Sequence, residues 1–146
     1  MRFSCVRPAA TIAPAAGGLR TGGLATTALA IGAARASIAL LAHEAVARAV
    51  LEPIVAGLTA ECDGIGRRLL TAACTGIAPP ERDTLRGDAN GLVVRAAQAA
   101  LTASKGAGYV QGHPAERLVR ESLFFLVWSC PQAVSAAALC ELAGVA

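Results

Sequence analysis

Aromatic side chains are scarce in this sequence. They make up 3% of its residues, although 55% of the chain is hydrophobic. A sheet would draw on β-branched and aromatic residues, so this balance argues against one. Lysine is also scarce: Lys105 is the only one among 13 basic residues, and the arginines are scattered from Arg2 to Arg120. The net charge is only +3, and no basic run is interleaved with aromatics. That excludes the usual footprint of a nucleic-acid binder, and the bases are expected to solvate helix faces and pair with acids. The five cysteines, Cys5, Cys62, Cys74, Cys130 and Cys140, form no Cys-x-x-Cys pair, and only His43 and His113 accompany them. This pattern weighs against a zinc site. Their odd number points to free thiols in a reducing, cytoplasmic compartment, packed as small hydrophobes.

Acids are missing from the first 43 residues, which carry Arg2, Arg7, Arg20 and Arg35. Such a leader has the composition of an organellar transit peptide. The Ala, Pro and Gly content of residues 8–23 instead favours a flexible lead-in over 1–22, followed by one domain over 23–146. The stretch "LATTALAIGAARASIALLA", residues 24–42, has the length of a membrane span. Arg35 lies deep inside it and most of its residues are small, so a buried helix of a protein without a membrane contact is the expectation.

What is abundant is alanine and leucine, the strongest helix formers. The expected fold is all-α, an antiparallel up-and-down helical bundle. One helix is expected from about Leu24 to Leu51, roughly 40 Å long, with Ile31 and Ile38 on its inner side and Pro53 marking its end. A second, from Ile54 to Ala73, carries the stripe Ile54, Leu58, Cys62, Ile65, Leu69, with Asp63 and Arg67 paired on the other side. "TGIAPPERD" is expected as a loop with Pro79-Pro80 as the stop. A third helix runs to Ser104, its first turn weakened by Gly87 and Asn90-Gly91. A fourth starts at Pro114, where a missing N–H costs nothing, with His113 as its N-cap. Its segment "SLFFLVWS" is apolar all round, so both faces should be covered. A short last helix ends at Gly144.

Between the third and fourth helices stands "TASKGAGYVQGHPAERLVRESL", residues 102–123. Gly106, Gly108 and Tyr109 form a Gly-x-Gly-aromatic turn, Pro114 follows Tyr109 by five residues, and Arg120-Glu121 begins six after Pro114. These residues and spacings resemble the C-terminal helical domain of the acyl-CoA dehydrogenase family, and the expected order of helices is similar to that domain from about residue 24. The resemblance implies an FAD-linked oxidoreductase acting on CH–CH bonds, with an acyl-CoA thioester as substrate and with Gly106, Gly108 and Arg48 on the flavin side. It also implies a homo-oligomer, or the family's other domains carried on another chain.

The departures from the family pattern are specific. Thr102 stands where the family turn has glutamine, and Lys105 where it has its first glycine. The family's Arg-x-x-Phe-Gly motif is reduced to Arg48, with Leu51 and Glu52 in the last two positions. Where many members place the glutamate that removes the α-proton, this sequence has Ser129, within "WSCP". Residues 24–35 contain no acid to replace it. The chain alone is therefore expected to lack dehydrogenase activity, with no catalytic residue assigned. On chemistry alone the two glycines need only end a helix in a left-handed cap. The alternative from a different class is a non-catalytic helical self-association module, with "FFLVW" as core or subunit interface.

Overall fold

The structure, a computed structural model, describes residues 23–128 and 130–145. Those residues form five α-helices and no strand: α1 (Leu24–Ala45), α2 (Glu52–Thr75), α3 (Pro79–Ser104), α4 (Pro114–Val127) and α5 (Gln132–Ala143). Short 3-10 turns at Ala49–Leu51 and Lys105–Tyr109 precede α2 and follow α3. The expected all-α class is what folds. The lead-in expected over 1–22 lies outside the described residues.

Three prolines act in the opposite sense to the expectation. The first helix does not reach Leu51. It stops at Ala45, about 33 Å long, and Arg48 leaves the helical region with φ −145° and ψ 84°. Pro53 then sits in the first turn of α2, where no intrahelical acceptor is waiting for its absent N–H. Likewise, Pro79-Pro80 open α3 and do not stop a loop. Glu81, in that first turn, faces the positive end of the helix dipole. Gly87, Asn90 and Gly91 are interior to α3 and do not fray it, because this stretch is covered by neighbouring helices. Tertiary packing overrides their poor propensity.

Side-chain pairings fix the direction of each helix. Arg95 bonds Glu61, and Arg68 bonds Asp88 at 2.5 Å; positions therefore rise in α2 as they fall in α3, so the two run antiparallel. Asn90 donates to the carbonyl of Phe125 and Arg86 to that of Trp128, which sets α4 antiparallel to α3. Arg35 pairs with Asp63 across α1 and α2, so Asp63 is not the partner of Arg67 as its spacing had suggested. α3 is the hub and touches all four other helices, whereas α5 packs only on α3 and α4.

The core is built from small residues. Ala30 and Ala34 of α1, and Ala89, Ala96, Ala97 and Ala100 of α3, are fully buried. Their short side chains allow close helix axes, and Ile31, Ile38, Leu85, Leu92 and Val93 fill the remaining space. The α2 stripe is only partly inward: Cys62 and Ile65 are buried, whereas Ile54 is exposed. α1 is long and apolar enough to cross a membrane. Its buried stripe lies against α2, α3 and α4, and the rest of the helix is exposed or half-buried among the described residues.

The expectation that α4 would be covered on both faces is overturned. Leu118, Ser122 and Phe125 point inward, whereas Leu123, Phe124, Val127 and Trp128 are exposed. Among the described residues, α1, α3, the 3-10 turn Lys105–Tyr109 and part of α5 lie against α4, too few neighbours to enclose it. Trp128 therefore does not anchor the core. It stacks on Phe124 with ring centroids 5.3 Å apart.

Candidate functional site

α3 ends without a glycine in the strained position. Its C-cap is Lys105, with φ 54° and ψ −144°, the only described non-glycine residue at positive φ. This conformation belongs almost wholly to glycine and costs another residue about 1–3 kcal/mol. The glycine pair therefore does not supply the expected left-handed cap; the positive φ falls one residue before Gly106, at Lys105. A Lys105→Gly substitution is expected to raise stability by about 1 kcal/mol, because the relieved strain exceeds the added freedom of glycine in the unfolded chain. Urea unfolding followed by circular dichroism measures it.

The next four residues close the 3-10 turn. Val110 N–H donates to Ala107 O at 3.0 Å, and His113 N–H to Val110 O at 2.9 Å. Gly106 and Gly108 have different roles in it. Nothing would meet a Cβ placed on Gly106, which is exposed. A Cβ on Gly108 would stand 2.7 Å from Leu101 Cδ1, 3.1 Å from Ser104 Cβ and 3.3 Å from Leu101 O. Gly108 is buried and is needed to seat the turn on the end of α3. Tyr109 is 75% exposed, so no ring closes the turn from outside.

Arg48 comes to the same end of the bundle from 55 residues away. Its guanidinium donates to Ala103 O at 2.7 Å and to Glu44. Ala103 is two residues before Lys105, so Arg48 caps one of the last carbonyls of α3, where the helix dipole favours a cation. Glu44 and Arg48, four residues apart, pair although Arg48 lies beyond the helix end. The fold therefore gathers Arg48, Gly106 and Gly108 at one end. Of the three, Gly106 is exposed with open space where a Cβ would stand, Gly108 is closed by packing, and Arg48 is committed to two acceptors.

His113 is the N-cap of α4: its Nδ1 accepts from Ala115 N–H at 3.2 Å. Arg120 pairs with Glu116 at 2.9 Å and Arg117 with Glu121 at 3.5 Å, so both are paired surface cations. Ser129, aligned with the family's catalytic glutamate, lies outside the described residues. Cys62 is buried, but Cys74 and Cys140 are exposed, which corrects the expectation of uniformly packed thiols. All four described cysteines, these three and the half-buried Cys130, are free.

Sequence reasoning missed Arg86 and Asn90, two fully buried polar residues one turn apart on α3. Arg86 donates to Trp128 O at 3.3 Å, and its Nε and Nη1 have no partner among the described residues. Burial pushes its guanidinium below its ordinary pKa, partly offset by the coulombic effect of nearby Cys130. Asn90 Nδ2 donates to Phe125 O at 2.9 Å, and Oδ1 has no partner among the described residues. The only sequence signal was a polar pair at i,i+4 in an alanine-rich helix, which an exposed face would give equally.

Comparison of the chain with protein-family models, with curated proteins and with solved structures returns no match.

Proposed function

We propose that this chain is a non-catalytic helical domain of the kind that closes FAD-linked acyl-CoA dehydrogenases, making flavin-side and subunit contacts without dehydrogenase activity of its own. The observation that carries this reading is Lys105. It holds a glycine conformation, φ 54° and ψ −144°, at the position where the resembled turn has its first glycine. Two placements stand beside it: Arg48, bonded to Ala103 O and Glu44, meets the end of α3 near that turn, and Gly106 is exposed with open space around its Cα. FAD bound there would supply the redox chemistry. The residues of this chain would hold its phosphate side through the Gly106 backbone and leave the acyl pocket to other domains.

The test is a visible absorption spectrum after FAD is added and the excess removed, with the chain alone and with a candidate partner domain. Retention of a band near roughly 450 nm supports the reading. No retention in either case removes it.

A second reading, self-association, has its own observation. On α4, Leu123, Phe124, Val127 and Trp128 are between 45% and 79% exposed. They form adjacent i,i+4 pairs, a concentration of apolar surface typical of contact sites. Phe124 also lines a cleft shared with Leu29 of α1. A dimer is expected in sedimentation velocity, and Phe124→Glu should shift it to monomer. A monomeric parent chain at all concentrations would sink this reading.

A further inference from the structure

One thiol stands where α3, the end of α4 and the start of α5 meet. Cys130 is half-buried and lies two residues before Gln132, the first residue of α5. Asn90 reaches it from α3. Its Nδ2 donates to Phe125 O at 2.9 Å and also to Cys130 Sγ at 3.7 Å. Arg86, one turn earlier on α3 and fully buried, donates to Trp128 O, two residues before the thiol.

The charge around this thiol has one sign. Between Glu121 and Glu141 the sequence holds no charged side chain, and α1 holds none before Arg35. The other charged residues on this stretch of α3 are Arg82, Asp83 and Asp88, and Asp88 is held by Arg68. No ion pair among the described residues includes Arg86, whose Nε and Nη1 have no partner among them. Cys130 acts on this guanidinium electrostatically, against the effect of burial. The start of α5 adds to the positive side, since no side chain caps it and the positive end of its dipole lies beside Cys130. The negative end of α4 opposes this, but Phe125 O and Trp128 O are already taken up by Asn90 and Arg86.

A neighbouring cation and a helix N-terminus favour the thiolate, the form that attacks electrophiles. We propose that Cys130 is an oxidation site, a nucleophilic thiol that hydroperoxides convert to a sulfenic acid, with Arg86 as its positioning residue. The sulfur gives an electron pair to one peroxide oxygen, and the S–O bond forms as the O–O bond breaks. The second oxygen leaves as hydroxide or alkoxide and takes up a proton, so sulfur is oxidised and the peroxide reduced. The site is independent of the flavin-side reading and uses none of the turn residues.

Exposure alone would rank the thiols the other way, because Cys74 and Cys140 are exposed. Those two serve as internal controls when the full chain is treated with dilute hydrogen peroxide and dimedone, and the labelled peptides are followed by mass spectrometry. Cys130 is expected to label about tenfold faster than either control. Arg86→Met, which keeps the stem and removes the charge, should slow Cys130 about tenfold and leave the controls unchanged. Arg86→Lys, which restores a cation, should recover part of the rate. Labelling of Cys130 in the parent chain no faster than that of Cys74 and Cys140 overturns the proposal, and this comparison needs no variant to fold. An Arg86→Met chain that is folded by circular dichroism and keeps the parent rate at Cys130 also overturns it.

Discussion

Gly108→Val is expected to destabilise the fold by about 3 kcal/mol, whereas Gly106→Ala is expected to stabilise it by about 0.5 kcal/mol. The two glycines are one residue apart, and sequence offers no reason to separate them. At Gly108 a Cβ would come within 3.1 Å of Ser104 Cβ and 3.3 Å of Leu101 O. Leu101 Cδ1, at 2.7 Å, can rotate away, but a backbone oxygen and a Cβ cannot. Valine adds two further methyl groups in the same crevice. Gly106 has a φ outside the positive region and open space around its Cα, so alanine only restricts the unfolded chain. Urea midpoints of the two variants settle the contrast. Equal losses would mean that the turn does not seat as described. The pair also separates stability from binding: if Gly106→Ala keeps the fold but loses retained FAD, the glycine serves a ligand and not the turn.

Arg86 gives the second large effect, and its sign depends on what replaces it. Arg86→Ala should cost about 3 kcal/mol, because the buried stem leaves a cavity beside Leu85 and Asn90. Arg86→Met keeps the stem volume and removes the charge, and it should stabilise the protein by about 1 kcal/mol. The reason is that no described carboxylate pairs with Arg86, two of its nitrogen positions are unpartnered, and burial lowers its pKa. Opposing this is the loss of one hydrogen bond to Trp128 O at the negative end of α4. The linkage sign agrees. A base whose folded pKa lies below its unfolded one binds fewer protons when folded, so its contribution to stability rises with pH near the guanidinium range. At neutral pH the full penalty is present. A Met variant less stable than the parent by more than about 1 kcal/mol would show that Arg86 is a net stabiliser through its cap on α4.

The pairing Glu116–Arg120 was legible because i,i+4 proximity is a property of the helix itself, whereas Glu44–Arg48 forms although Arg48 has left α1. The His113 cap and the start of α4 at Pro114 were legible for the same local reason. Pro53 and Pro79-Pro80 were not. A proline excludes the interior of a helix but is compatible with both an end and a beginning, and only the position of the chain reversal decides. Asp63 shows the same limit: Arg67 and Arg35 compete for it, and the contact across α1 and α2 wins.

The sequence by itself determined the all-α class, since an alanine-leucine chain with 3% aromatics has neither the side chains for a sheet nor an obstacle to helices. It also marked the stretch that ends α3, where Gly106, Gly108 and Gly112 come close together just before Pro114, although single glycines such as Gly87 do not end a helix. The tertiary structure alone decided which faces were covered. The apolar ring of α4 met too few neighbours to be enclosed, and a polar pair on α3 was buried because α4 ends above it. Only the structure could bring Arg48 to Ala103 O across 55 residues and bury Asn90 against Phe125 O. Such placements depend on how five helices share a volume, which local pattern does not encode.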